Sequence, residues 1–371
     1  MALAPMANVT DAAFRRIIAK YSKWGGQDIG DGSKVSLPDE AFRVGGPDVM
    51  FTEFTSADGL MSEGREKLLI DLMYSESERP IVAQLFSGNP EKMYEAAKLV
   101  KELGFDGLDI NMGCPDRSIE KSGAGAALMK NPRLAREIIR AAKEGVSDSP
   151  LTKGALPTPP ARGGVSSLRD EVVGAAGGMS IPISIKTRLG YNTDILEEWL
   201  PELLAEKPAA VTLHARTRKE MSKVPARWER VKRAVEIRDE LRSGTLILGN
   251  GDVVSLADAH QKVRETVADG IMLGRAIFGN PWLFAGGKRS DLKSVERSDL
   301  KEPSIEVKLR VLVEHAKLFE ELLGGNKSFA IMKKHFKAYA EGFVGAKELR
   351  MKLMEADSLE EAEEIIGNFL A

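Results

Sequence analysis

Eight short apolar runs, separated by stretches of helical periodicity, constrain this chain more than any other feature of it. The runs are Ala2 to Met6, Val49 to Glu53, Pro80 to Leu85, Gly107 to Met112, Ile181 to Lys186, Ala209 to His214, Thr245 to Leu248 and Gly270 to Leu273. Most are apolar at nearly every position, the pattern of strands buried on both faces of a parallel sheet. The segments between them have helical ends. Asn89 is placed to cap a helix with Pro90 in its first turn, Met93, Ala96, Ala97 and Val100 mark one face, and Gly104 closes it. Asn131-Pro132 opens another helix and Ser255 a third. Strand–helix alternation of this kind fits a (β/α)8 barrel, usually about 250 residues long before insertions. An open doubly wound sheet competes, but the sequence shows no break in strand order.

The chain has 371 residues, more than a bare barrel needs. Residues 147–178 hold ten Pro or Gly and little periodicity, which predicts a long loop inserted before the fifth strand. Residues 285–303 read as a polar linker, and from Ile305 onward the pattern is purely helical, with runs near 306–323, 327–341, 346–355 and 358–370. Ser358 with Glu361 makes a capping box for the last of these. The expected architecture is therefore a TIM barrel domain over 1–288, carrying the insertion, followed by a small C-terminal all-α domain over 304–371. No stretch approaches the roughly 18 apolar residues of a membrane span, and no signal-like core opens the chain, so a cytoplasmic protein is expected. The single cysteine, Cys114, excludes an intramolecular disulfide and a multi-cysteine metal site, and no metal is expected. Fifty-three Lys and Arg against 55 Asp and Glu leave a net charge of −2, so bulk charge gives no reason to expect a nucleic-acid partner.

Function in such a barrel gathers at the carboxyl ends of the strands. Seven of the eight runs close on an unusual set, polar or charged in all but the first. The set includes Pro5-Met6, Gln84, Asn111-Met-Gly-Cys114, Lys186 with Arg188, His214 with Arg216, Asn250-Gly251-Asp252 and Gly274-Arg275. Any one of these has an ordinary explanation as a rim histidine or a structural ion pair. Together they are costly unless they meet one another or a ligand. The glycines and the arginine after the last two strands suit a phosphate group. Lys186 and Gln84 suit a flavin, whose pyrimidine edge needs donors that hold negative charge. Spacing alone leaves open a sugar-phosphate enzyme in which Lys186 forms a Schiff base.

At these residues the chain resembles the tRNA-dihydrouridine synthases, flavin enzymes that reduce uridines in tRNA. The resemblance is carried by LAPMANVTDAAFRR (3–16), PIVAQLFSGNPE (80–91) and LDINMGCPDRSIEKSGAGAALMKNP (108–132). It continues in ISIKTRLG (183–190), VTLHARTR (211–218), LGNGDV (248–253), DGIMLGRAIFGNPWLF (269–284) and, in the tail, MKKHFKAYAEGFVGAKELR (332–350). It implies FMN contacts from Pro5, Met6, Ala7, Gln84, Lys186 and His214, with Asn250, Gly251, Asp252, Gly274 and Arg275 completing them, and NADPH as the source of electrons. It implies Cys114 as proton donor and Asn111 as a contact to the target uracil, with Arg188 also on the substrate. The chain departs from the family pattern in a short first strand, a longer polar segment at 20–48 and the insertion at 147–178.

The resemblance also changes how the tail reads. Between 327 and 352 there are seven basic residues and two acidic ones, and from 214 to 242 ten basic against five acidic. Beside a family of tRNA enzymes these stretches are expected to contact RNA, with Lys333, Lys334 and Arg350 as substrate contacts and a monomer as the working form. The nearest alternative is an FMN barrel that reduces a small molecule, such as a dihydroorotate-type or ene reductase, for which a basic helical module has no use. A tRNA-binding protein without redox turnover is a further one, disfavoured by the intact Cys114, Lys186 and Arg275.

Overall fold

A computed structural model describes residues 1–24, 45–148, 180–285 and 303–371. Its strands are β1 (Ala2–Leu3), β2 (Met50–Ser56), β3 (Ile81–Phe86), β4 (Gly107–Met112), β5 (Ile183–Arg188), β6 (Ala210–His214), β7 (Leu246–Asn250) and β8 (Gly270–Leu273). All neighbouring pairs are parallel, in the order β1-β8-β7-β6-β5-β4-β3-β2. The sheet closes on itself through a parallel bridge between Ala2 and Val49, where Leu3 N–H donates to the Val49 carbonyl at 3.1 Å. This is the expected (β/α)8 barrel. The helices are α1 (Ala12–Ile18), α2 (Ala57–Leu60), α3 (Arg65–Leu68), α4 (Pro90–Glu102), α5 (Arg117–Lys121), α6 (Pro132–Asp148), α7 (Leu196–Leu204), α8 (Trp228–Glu240) and α9 (Leu256–Thr266). After them come α10 (Ile305–Leu323), α11 (Met332–Tyr339), α12 (Ala346–Glu355) and α13 (Leu359–Leu370), the expected C-terminal helices.

Local chemistry sets the element ends. β1 stops early because Ala4 N–H makes the last ladder bond, to Leu273, and Pro5 has no N–H to give. β5 starts after Pro182 for the same reason. Asn89 caps α4 by accepting from the N–H groups of Glu91 and Lys92, with Pro90 in the first turn. Ser255 caps α9 and Ser358 caps α13. The proposed run at 327–341 narrows to α11, because Ser328 caps a short tight turn, Phe329–Ile331, ahead of it. One face of the barrel strands is apolar, with Ile81, Ala83, Leu85, Leu108, Ile110, Ile185, Val211, Leu213, Ile247 and Ile271 fully buried, while the alternate positions carry polar groups such as Gln84, Asp109 and Asn111.

The chain divides into two compact units that interleave in sequence. The barrel unit comprises Met1–Pro5, Asp48–Met73 and Arg79–Gly274, and the helical unit comprises Met6–Pro47, Tyr74–Glu78 and Arg275–Ala371. Within the helical unit α1 packs on α10 around Phe14, and Arg15 donates to Glu78 at 2.6 Å with both side chains fully buried. The inserted loop expected at 147–178 falls outside the described residues except for Ser147 and Asp148, which finish α6. The linker at 286–302 and the polar segment at 25–44 also lie outside them.

Candidate active site

β4 carries the residues on which the site is built. Its last turns run Asp109, Ile110, Asn111, Met112, and the loop beyond holds Gly113 and Cys114. The Asn111 side-chain oxygen accepts from Gly113 N–H at 3.1 Å and Cys114 N–H at 2.9 Å, which fixes the cysteine loop to the strand end. Its Nδ2 donates to Gln84 Oε1 on β3 at 3.0 Å. Gln84 Nε2 donates in turn to Asp109 at 2.6 Å, and the other Asp109 oxygen accepts from Ser184 Oγ on β5 at 2.5 Å.

The far side of the same loop is held by the segment that follows it. Ala126 N–H donates to the Cys114 carbonyl at 3.0 Å. Gly125 there has φ +59, and a Cβ on it would sit 2.8 Å from Ile119 and 3.0 Å from the Cys114 oxygen. That contact explains why NMGCP and GAGAALM occur together. Arg188, at the end of β5, closes the third side by donating to the Gly113 carbonyl at 2.8 Å, and to Thr217 and Met221 carbonyls at 3.2 and 3.1 Å. Arg188 is only 9% exposed and is engaged with the backbone of the cysteine loop.

The electrostatics follow from burial. The half-buried Cys114 thiol is pushed above its ordinary value, first by burial and then by the Asp116 carboxylate, against the Asp116 N–H and the cations of Arg188 and Lys186. It is therefore a protonated thiol at neutral pH. Lys186 is lowered to about 8 by burial and by Arg188, against the charge of Asp109, so it remains mostly cationic at pH 7. Arg188 is lowered to about 10 by burial and stays charged. Asp109 is raised to about 6 by burial, against its bonds from Ser184 and Gln84 and the charge of Lys186.

On β6 and β7 a second cluster forms. Arg216 Nη1 meets His214 Nε2 at 3.1 Å. A guanidinium only donates, so Nε2 is the acceptor and the His214 proton sits on Nδ1. Arg216 also pairs with Asp252 and donates to the Val224 carbonyl at 2.6 Å. Asn250 donates to the Met272 carbonyl at 2.8 Å and faces Lys186 Nζ at 3.5 Å. Gly251 has φ +127, and a Cβ there would lie 2.8 Å from Ala226.

The barrel unit thus brings Gln84, Asn111, Cys114, Lys186, Arg188, His214, Asn250, Gly251 and Asp252 to the carboxyl ends of its strands, with Pro5 two residues after β1 and Gly274 directly after β8. Met6, Ala7 and Arg275 belong to the helical unit, as do Lys333 and Lys334 on α11 and Arg350 on α12. Two residues that hold the site were given no role from the sequence: Asp109 was not singled out, and Arg216 stood only among the polar groups at the strand ends. Asp109 was signalled by an acid in the middle of an apolar run, and Arg216 by its place two residues after His214. The two basic stretches differ in how far their charges are already paired. In 214–242, Arg216, Arg218, Arg227, Arg230, Arg233 and Arg238 all pair with carboxylates. In the tail Lys334, Lys337, Lys347 and Lys352 are exposed, whereas Lys333 bonds Asp357 and His335 and Tyr339 are core residues. Among the described residues no cluster of three metal-ligating side chains occurs, and no helix is long and apolar enough to cross a membrane.

The family model described as dihydrouridine synthase matches residues 2–155 and 164–370 of this chain. A protein of Staphylococcus epidermidis named "Probable tRNA-dihydrouridine synthase" is 32% identical over 372 residues, covering 100% of this chain and 93% of its own. "Probable tRNA-dihydrouridine synthase 2" of Bacillus subtilis is 33% identical over 370 residues, covering 99% and 93%. Among solved structures, histamine dehydrogenase from Rhizobium sp. 4-9 overlays 86% of this chain and 48% of its own at a TM-score of 0.47 and 15% identity, too loose a likeness to bear on chemistry.

Proposed function

The chain belongs to the dihydrouridine synthase family of oxidoreductases, and from that premise we propose that it is an FMN-dependent enzyme reducing the C5–C6 double bond of uridines in tRNA with electrons from NADPH. The observation that carries the reading is Cys114, a protonated thiol clamped at the end of β4 with Lys186 and Arg188 facing it. FMN bound at these strand ends would supply hydride to uracil C6. Cys114 would then give its proton to C5, and the two cations with the Asp116 N–H would stabilise the thiolate left behind. Asn111 keeps one Nδ2 hydrogen for the uracil, its other groups being engaged with Gln84 and the loop.

The barrel residues suit a flavin. Lys186 is a cation whose hydrogen bonding among the described residues is one long 3.5 Å contact, so it has donors for an anionic pyrimidine edge. The turn after β7 combines Gly251 and Asp252, both at positive φ, in a backbone suited to close approach. Pro5, Gln84, His214, Asn250 and Gly274 complete the proposed barrel contacts, whereas Met6, Ala7 and Arg275 rest on the resemblance alone. We assign catalysis to residues 1–288 and tRNA binding to 304–371, where exposed Lys334 and half-buried Arg350 are the proposed contacts and Lys333 is a weaker one because Asp357 holds it. Incubating unmodified tRNA with the enzyme, FMN and NADPH should create dihydrouridine at defined positions, mapped by chemical cleavage. A colourless protein that makes none would refute the reading.

A further inference from the structure

The hydrogen-bond chain that ends at the Cys114 loop begins at a buried acid. Asp109 is fully buried on β4 and accepts from Gln84 Nε2 at 2.6 Å and Ser184 Oγ at 2.5 Å. The two ends of an amide have the same shape, so neighbours decide which way each one points. At one end of the chain, Gly113 and Cys114 N–H can only donate, so the Asn111 oxygen must face them at 3.1 and 2.9 Å. The Asn111 NH2 must then face Gln84, whose oxygen accepts at 3.0 Å, and the Gln84 NH2 must face residue 109. Only an acceptor completes the sequence, and an ionised carboxylate is the strong side-chain acceptor that carries no donor. A carboxyl here is unfavourable on burial grounds alone, since it is raised to about 6 in spite of Lys186 and two donors. Asparagine would fill the same volume without charge, yet it could face Gln84 with either end.

We propose that Asp109 is a positioning residue for Cys114, acting through the side-chain amides of Gln84 and Asn111. A carboxylate makes the first bond charge-assisted, and polarisation along the two amides strengthens the bonds to the loop. The inference rests on the reading of Cys114 as proton donor. Its structural half is testable without that reading, because Cys114 is the sole thiol of the chain.

The measurement is the rate of Cys114 alkylation by iodoacetamide in the full-length protein as purified, with Asp109→Asn, Gln84→Met and the double variant. Loosening the loop by one hydrogen bond should speed alkylation about fivefold in each single variant. The double variant should be no faster than Gln84→Met, because Asp109 has lost its only route to the loop. A through-space effect of the missing charge would instead persist in the Gln84→Met background, and that result would overturn the proposal. Where wild type forms dihydrouridine, Asp109→Asn should lower kcat about fivefold with KM for tRNA unchanged. Wild-type alkylation and kcat in that variant would also overturn it. If alkylation follows the predicted cycle while the wild type forms no product, the chain of bonds stands and the functional reading fails. If Asp109→Asn does not fold, Gln84→Met alone carries the test, and an alkylation rate equal to wild type sinks the relay.

Discussion

In the barrel unit, Asp109, Gln84 and Asn111 are buried polar side chains joined in a single run of hydrogen bonds that ends on the backbone of Cys114. In the helical unit, His315 and His335 are buried as deeply, yet among the described residues no ring nitrogen of either has a hydrogen-bond partner. Their rings lie 4.5 Å apart edge to face, against Phe14 at 5.7 and 5.1 Å and beside Tyr339 and Phe278. Burial moves both sets of groups toward neutrality, but with different results. Asp109 is compensated by donors and by Lys186 and ends near 6, whereas His335 falls to about 3 and His315 well below its ordinary value. The polar groups of the barrel hold a geometry. The histidine pair of the helical unit instead fills space as neutral aromatic rings, at the cost of two desolvated imidazoles.

If that division is right, the barrel side should be where chemistry breaks. The largest effect is expected from Cys114→Ala, which should cut dihydrouridine formation by about 10²–10⁴-fold, the usual worth of a general acid, while FMN content holds. Product formation at the wild-type rate would remove the thiol from the mechanism. The raised thiol pKa adds a sign to this. The acid form persists through neutral pH and is lost only as pH rises past its folded value, so the Cys114-dependent step should be flat near pH 7 and fall on the alkaline side. Next comes Lys186→Met, which removes one charged hydrogen bond to the proposed flavin and should weaken FMN retention by about 10–100-fold, read by dialysis and absorbance.

The sequence made one side of this comparison far more legible than the other. Near-continuous apolar runs announced eight strands, and the groups at their ends announced the site, because a polar residue closing a buried strand needs a partner. What stayed hidden was the interior of those runs. Asp109 sits between Leu108 and Ile110, and only the in-register pairing of β3, β4 and β5 brings it beside Gln84 and Ser184. Arg188 read as a substrate contact, and the fold adds a bond the sequence did not announce, from its Nε to the Gly113 carbonyl. In the tail, charge counts pointed to the stretch 327–352, within which His335 and Tyr339 also fall. Helical periodicity places both on the buried side of α11, where a count along the sequence cannot see them. Length and composition likewise gave no hint that Met6–Pro47 groups with the C-terminal helices.

The helical side should fail with acid. Both histidines have folded pKa values below the ordinary 6.5, so the unfolded chain takes up protons first as pH falls. Their contribution to stability is therefore complete above about 6.5 and is lost below it, at up to about 1.4 kcal/mol per pH unit for each ring, down to about 3 for His335. Replacing both with leucine removes these buried nitrogens and should flatten the stability profile between pH 6.5 and 4, with a gain of about 4 kcal/mol at pH 5 from the proton linkage of the two rings. Denaturant unfolding at several pH values measures this. An equally steep acid loss in the double variant would mean that other groups set the profile.

The smallest effect sharpens the comparison at the surface of the same unit. Lys334 sits one residue before buried His335 and is exposed, and its charge contributes to holding that ring neutral. Neighbouring Lys333 is tied to Asp357 at 2.8 Å. A cation already paired releases little counterion when RNA arrives, because its own carboxylate must be displaced. Reversal of Lys334 to Glu should therefore weaken tRNA binding several-fold and reduce the slope of log affinity against log salt by about one. Reversal of Lys333 should do less, and reversal of Arg233, held by Glu197 and Glu240, less again. Equal losses across the three would show that net charge, rather than its free portion, governs the encounter with RNA.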